Sequence, residues 1–334
     1  MSVTHIFLPP LRKPTGGLAV LHQVAAHLHA EGFPVRLVPR EAAYWAPALS
    51  AAVPVTPWAD LHLAPDDIWL VPEGWVNGLA PGLSAGARCV VYVQNWAYLF
   101  SALPEGVTWD RLPVSFIAVS DPVAWFMRET IGVEAPVLRP GIDLSLFTPP
   151  TERPDSPVRI AFMPRKNKAL AAQIRAGFEA RAARRAMPPV EWVAIDGLPP
   201  EGVARTLRES HVFLVTGYPE GCPLPPLEAM ACGALCVGFA GLGGFDYMRN
   251  AATFPGAAEP WFPLRPTPWT GNGLWVADAD VMAAVNALET AVTAVASHDP
   301  RVTNCLAAAL DTAHHYGIET QRRSAAALWQ QLSS

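Results

Sequence analysis

Two glutamates, Glu220 and Glu228, stand eight residues apart in GYPEGCPLPPLEAMACGALC (residues 217–236), a proline-rich turn that runs into a helix. A carboxylate can accept two hydrogen bonds from the vicinal hydroxyls of a ribose, and a helix start offers free N–H groups and a positive dipole end to a diphosphate. The layout suits the grip of a sugar nucleotide. The apolar run HVFLV (211–215) predicts a buried parallel strand closed by Thr216 and Gly217. Pro225 and Pro226 fit the first turn of a helix that LEAMACG carries on from Leu227. Glu220 is therefore expected on the loop and Glu228 in the first helical turn. Taken alone, Glu228 would be read as a carboxylate complementing the helix dipole, worth ~0.3–1 kcal/mol.

The elements that must position these residues belong to a chain of 334 residues, which predicts two domains of ~150 residues each. Hydrophobic residues make up 51% and charged residues 16%, which excludes a disordered chain. No apolar run reaches the ~18 residues of a membrane helix, and residues 1–8 lack the basic start and long apolar core of a signal peptide, so a cytoplasmic location is expected. Five cysteines, odd in number and without C-x-x-C spacing, read as reduced, buried thiols. Residues 1–150 carry eight Lys and Arg against twelve Asp and Glu, and the rest carries sixteen against seventeen. Neither half is basic, which argues against a nucleic-acid partner. Arg181, Arg184 and Arg185 form one local basic patch, read as a solvated helix face, and they leave peripheral contact with the inner face of a membrane open.

Along the chain, THIFL (4–8) predicts a strand, PPLRKPTGG (9–17) a loop, and Leu18, Leu21, Ala25 and Leu28 a helix that Gly32 stops, with VRLV (35–38) as the next strand. This is a βαβ unit of a doubly wound domain, whose first loop is where such folds meet ligands. Gly16 and Gly17 allow close backbone approach there without completing G-x-G-x-x-G. Strands follow at DIWLV (67–71), CVVYV (89–93) and SFIAV (115–119). The proline-rich stretch 144–157 predicts a boundary near 150. A second series has RIAFM (159–163), a helix over 169–185, WVAI (192–195), HVFLV and LCVGF (235–239). The expected division is an N-terminal domain over 1–150, a second over 151–310, and a terminal helical segment over 311–334, with a break in the final helical run near Tyr316 and Gly317. Two α/β domains with a ligand loop in each imply a cleft between them.

EGCPLPPLEAMACG (220–233) resembles the signature of family 4 of the retaining glycosyltransferases, whose GT-B fold has two Rossmann-like domains facing across a donor cleft. Further segments are similar and in the family's order: GG at Gly16 and Gly17, QN at Gln94 and Asn95, AVSDPVAWF from Ala118, RPGIDLSLF over 139–147, MPRK over 163–166 and GLGGFDYM from Gly241. The ending YGIETQRR is similar to a tail helix that crosses back onto the first domain. Most of the chain is covered. The resemblance implies transfer of a hexose, with retention and without metal or cofactor, from a nucleoside-diphosphate sugar to a glycan or lipid-linked acceptor, in glycan or surface-polysaccharide synthesis. It implies that Glu228 holds the ribose hydroxyls and Glu220 touches the donor sugar. Arg165 and Lys166 would grip the diphosphate and stabilise the charge that grows as it leaves, with Lys168 a substitute for Lys166. Gly16, Gly17, Gly221, Cys222 and Leu224 would complete the donor site, and Gln94 and Asn95 would contact the acceptor or sugar.

Two departures bear on that reading. Pro223 stands where the family often has glycine and deletes an N–H from the donor loop, whereas Leu224 keeps its own. Gln94 and Asn95 stand where many members have a histidine, as in a rhamnosyltransferase-like subgroup, and offer hydrogen bonds but no titrating base. Asp278-Ala279-Asp280 spells the metal-binding D-x-D of another fold, yet it opens the helix VMAAVNALETAV, so Asp280 reads as an N-cap. No H-E-x-x-H occurs, and no metal is expected. Trp69 reads as core, while Trp45, Trp75 and Trp96 lie near predicted loops where an aromatic face could stack on an acceptor. An epimerase or hydrolase of the same fold, or an inactive sugar-nucleotide-binding protein, are the alternatives. The nucleotide, the hexose, the acceptor and the oligomeric state stay open.

Overall fold

Apolar runs of about five residues, too short for buried helices, become strands, the central ones buried on both faces. The computed structural model of the chain describes residues 2–11 and 13–333; Arg12, in the loop expected over 9–17, lies outside them. The chain forms two compact units, one running to Gly141 and resuming at Ile318, the other spanning Ile142–Gly317.

The first unit holds β1 (Thr4–Leu8), α1 (Gly16–Ala30), β2 (Val35–Pro39), β3 (Ile68–Pro72), α2 (Ala80–Ala85), β4 (Arg88–Val93), α3 (Tyr98–Ser101), β5 (Val114–Ala118) and α4 (Asp121–Ile131). Its sheet has the order β2-β1-β3-β4-β5, with every pairing parallel. All residues of β1 and β3 are buried. Local chemistry sets the helix starts. The Thr15 side chain accepts from the Leu18 N–H at 3.2 Å, so α1 begins at Gly16, inside the stretch expected as loop. Ser120 caps α4 in the same way, and Gly132, at φ +66°, ends it.

The second unit holds β6 (Val158–Phe162), α5 (Lys168–Ala182), β7 (Val190–Ala194), α6 (Pro200–Glu209), β8 (Val212–Val215), α7 (Leu224–Ala231), β9 (Leu235–Phe239), β10 (Leu274–Val276), α8 (Val281–Ala296) and α9 (Pro300–His315). The sheet order is β10-β9-β8-β6-β7, again parallel throughout. The last helix, α10 (Ile318–Ser333), belongs to the first unit, where Trp329 Nε1 donates to Thr4 Oγ1 at 2.9 Å and Gln321 Oε1 lies 3.2 Å from His27 Nε2. The two sheets share one winding. In each, the second strand lies on one side of the first and the third on the other, which places a topological switch point between β1 and β3 and another between β6 and β8.

The units divide nine residues before the expected boundary at 150, because the proline-rich stretch is tied into the second unit. Arg153 donates through Nε to the Arg208 carbonyl at 2.7 Å, through Nη1 to Gly233 at 2.7 Å and through Nη2 to Cys232 at 2.5 Å. One guanidinium thus satisfies carbonyls at the ends of both α6 and α7. Arg153→Ala is expected to lower the unfolding free energy of this unit by about 1.5–3 kcal/mol, the worth of charge-assisted bonds to buried carbonyls. Urea unfolding monitored by tryptophan fluorescence reads this, and an unchanged midpoint would contradict it.

Of the basic patch, Arg184 and Arg185 are exposed as expected but lie beyond the end of α5. Arg181 and Arg185 both pair with Glu289 on α8, at 2.8 and 2.9 Å. Asp280 caps α8 as expected, its side chain accepting from the Ala283 N–H at 2.9 Å.

Candidate functional site

The switch point of the second unit gathers most of the expected donor residues, because β6 and β8 are adjacent and their carboxyl ends open into the loops 163–167 and 216–223. The two loops are fastened together. Asn167, in the left-handed region at φ +61°, donates from Nδ2 to the carbonyls of Thr216 at 2.7 Å and Tyr218 at 3.2 Å. Thr216 Oγ1 donates in return to the Lys166 carbonyl.

The loop carrying Glu220 is fastened on its other side to the GLGGFDYM segment. Glu220 N–H donates to the Gly241 carbonyl and Gly243 N–H to the Glu220 carbonyl, both at 3.1 Å, while Tyr247 Oη donates to the Pro223 carbonyl at 2.6 Å. Only glycine fits at this seam. Gly241 has φ +68°, and a Cβ on Gly243 would stand 2.0 Å from the Gly221 carbonyl oxygen. Asp278 accepts from the Gly241 N–H at 2.8 Å, and burial, with the Glu220 charge adding, raises its pKa. The first aspartate of the D-x-D thus supports the loop.

Four charged side chains converge on these loops. Lys166 Nζ forms an ion pair with Glu220 Oε1. Glu228 is half-buried on α7, and its carboxyl has no hydrogen bond or ion pair among the described residues. Burial pushes it up to about 7, against the opposing pull of Arg165 and Lys166. Arg165 is exposed, with no ion pair among the described residues. Lys166, Thr216, Gly217, Glu220 and Pro223 line a pocket together with Met163, Pro225 and Pro226. Gly221 is buried, Cys222 and Leu224 are half-buried on the same turn, and Lys168 stands exposed as the first residue of α5. Two cations beside an unpaired carboxylate can hold an anion and a diol together.

The helix start differs from expectation. Helix α7 begins at Leu224, three residues before Leu227, so Glu228 is its fifth residue and lies beyond the first turn. The pull of the helix dipole falls off beyond the first turn, which weakens the reading of Glu228 as its partner. Pro225 and Pro226 also strip two of the first-turn N–H groups, leaving Leu224's. The start of α7 therefore offers an anion few free N–H groups. Asn167, Asp278 and Tyr247 were missed as loop supports; GLGGFDYM signalled the segment but not their contacts.

Gly16 and Gly17 follow β1, Gln94 and Asn95 follow β4, and Gly17 and Gln94 meet in the first unit. Gln94 Nε2 donates to the Gly17 carbonyl at 3.1 Å, and a Cβ on Gly17 would stand 2.5 Å from Gln94 Oε1. Asn95 Oδ1 accepts from the Ala97 N–H at 3.0 Å. Beneath this turn lies a residue that carried no motif, Glu73, which follows β3 and is 3% exposed. Its Oε2 accepts from the Gln94 N–H at 3.0 Å and its Oε1 from the Asn95 N–H at 2.7 Å. Burial raises this carboxyl to about 7, and the two N–H groups oppose the rise. Trp69 is fully buried, whereas Trp45, Trp75 and Trp96 are half-buried and rest against His22, Phe7 and Phe126.

Among the described residues, no group of three His, Cys, Asp or Glu side chains is placed to hold a metal ion. No helix among them is long and apolar enough to cross a membrane.

No family model matches the chain. Over 186 residues it is 26% identical to an alpha-1,6-glucosyltransferase of Actinobacillus pleuropneumoniae serotype 7 (strain AP76), a match covering 54% of this chain and 55% of that protein. The matched region spans about half the length of this curated relative. Among solved structures, sucrose-phosphate synthase from Thermosynechococcus elongatus superposes with a TM-score of 0.65 at 15% identity, over 99% of each chain. The catalytic domain of starch synthase IV from Arabidopsis thaliana, bound to ADP and acarbose, gives 0.60 at 13% identity, over 97% of this chain and 99% of that one. The fold is that of the GT-B glycosyltransferases: two parallel-sheet α/β units.

Proposed function

We propose that this protein is a retaining glycosyltransferase of the family 4 type, moving a hexose from a nucleoside-diphosphate sugar to an acceptor hydroxyl without a metal ion. The observation that carries the reading is the unpaired Glu228 carboxyl held beside Arg165 and Lys166 at a switch point. A half-buried carboxylate without a protein partner is unfavourable unless a ligand supplies donors, and the two hydroxyls of a ribose do so. The similarity to a glucosyltransferase and to a fold neighbour solved with ADP agrees with this ligand class.

In this reading the diphosphate takes Lys166 away from Glu220, and the released Glu220 carboxylate accepts from hydroxyls of the donor sugar. Arg165 and Lys166 stabilise the negative charge as the bond from the anomeric carbon to the phosphate oxygen breaks. The acceptor oxygen attacks the same face, and its proton passes to the departing phosphate oxygen, so no protein base is needed. Gly221, Cys222 and Leu224 border the donor. Gln94 and Asn95 hydrogen-bond the acceptor, a glycan or lipid-linked saccharide in cell-surface polysaccharide synthesis. Their place in the loop favours the rhamnosyltransferase-like subgroup. The work is assigned to the cytoplasm, at the inner face of the membrane when the acceptor is lipid-linked.

Incubation with UDP-, GDP-, ADP- and dTDP-hexoses, saccharide acceptors and a chelator, followed by NMR of the product, tests this. One donor is expected to give a product with its anomeric configuration retained. Inversion would contradict the mechanism, activity lost in chelator and restored by magnesium would contradict metal independence, and consumption of donor without acceptor would favour an epimerase or hydrolase.

A further inference from the structure

We propose that Glu73 is a positioning residue that shapes the Gln94–Asn95 turn to receive the acceptor, an inference that rests on the acceptor reading of that turn. Strands β3 and β4 are parallel neighbours with Pro72 opposite Tyr92, so Glu73, the first residue beyond β3, comes level with Val93, the last of β4, just before Gln94. There the ladder stops, and the Gln94 and Asn95 N–H groups, at 3.0 and 2.7 Å from the two oxygens of Glu73, find a carboxylate in place of a next strand residue. Both oxygens are thereby used by one turn, and at 3% exposure the group is closed to a substrate. It therefore acts through its neighbours and is not itself a base.

The turn it holds has defined outward parts. With their N–H groups drawn inward, Gln94 turns its amide to the Gly17 carbonyl at 3.1 Å, and Asn95 closes a small turn on the Ala97 N–H at 3.0 Å. Three chain segments, after β1, β3 and β4, are thus joined by one buried carboxylate and the Gln94 side-chain amide. A carboxylate is the one side chain of this length that accepts two N–H bonds and donates none when ionised. Glutamine has the same shape but turns an N–H₂ toward one of the two donors, which misplaces the turn while filling the same volume.

The test compares Glu73→Gln with the wild-type protein in two measurements. Glu73→Asp, which keeps the charge but is a methylene too short to reach both N–H groups, serves as a second variant should Glu73→Gln not fold. Amide hydrogen exchange is expected to speed up about tenfold or more at 94–97 and to stay unchanged in the β4 core. In transfer assays the acceptor KM is expected to rise about tenfold or more, with the donor KM within about twofold. Unchanged exchange at 94–97 in a folded variant overturns the positioning role, and this reading needs no substrate. Faster exchange with an unchanged acceptor KM overturns the link to the acceptor. A wild-type protein that transfers to no acceptor overturns the glycosyl-transfer reading and this proposal with it, while leaving accelerated exchange as a statement about the turn alone.

Discussion

Glu228→Gln is expected to leave the protein more stable at pH 8 and unable to hold its nucleotide. The carboxyl sits at about 7 in the folded protein, against 4.5 for an unperturbed group, so the folded state binds this proton more tightly than the unfolded state. Stability from this group is therefore present below about 4.5 and is lost as pH rises through the folded value. A neutral amide of the same shape escapes that loss. The difference between variant and wild type should open between pH 4.5 and 7 and level off above, at about 1–3 kcal/mol once the half-exposed side chain's residual hydration is allowed for. For a unit of this size that is a rise in Tm of about 2–10 °C. The difference is what must be compared, because buried histidines such as His22, lowered to about 4, tilt the wild-type curve the opposite way. Nucleotide affinity should fall about 100-fold or more, since two charge-assisted hydrogen bonds of ~1.5–3 kcal/mol each are impaired. A carboxylate serving the helix dipole would give the reverse pattern: a less stable variant with its affinity intact.

The second large effect is expected at the cations. Arg165→Ala and Lys166→Ala should each lower kcat about 100- to 1,000-fold, the usual consequence of removing a group that stabilises charge on a leaving oxygen. Neither should matter much for folding. Arg165 is exposed without an ion pair among the described residues, so its loss should change stability by no more than about 0.5 kcal/mol. Lys166 pairs with Glu220, but both are partly exposed, at 31% and 17% of the side chain, and such pairs contribute about 0–1 kcal/mol. Steady-state kinetics beside thermal unfolding separates the two effects. Activity within threefold of wild type in either variant would remove that residue from the leaving-group role.

Most strands were legible because a parallel sheet covered on both faces requires continuous apolar runs, and HVFLV and LCVGF are of that kind. Strand β10 was not, since LWV is three residues long and its pairing with Val237–Phe239 is fixed by tertiary contact. Helix α6 was masked by Pro200 and Gly202 within a polar decapeptide. The proline pair of α7 was legible as a helix start, but prolines fit more than one first-turn register, and the chain starts the helix at Leu224. At the site, residues carried by a motif were readable one by one, while their pairing was not. Lys166 and Glu220 are 54 positions apart and meet because β6 and β8 are neighbours. Glu73 had no motif at all, and its meaning comes from the strand order that sets it under Gln94 and Asn95.

The most direct test of the account is calorimetric titration of the protein with UDP, GDP, ADP and dTDP in chelator, repeated with Glu228→Gln. One of these nucleotides is expected to bind the wild-type protein without metal, and the heat is expected to disappear in the variant. Equal binding by the two proteins, or binding that needs added magnesium, would contradict it.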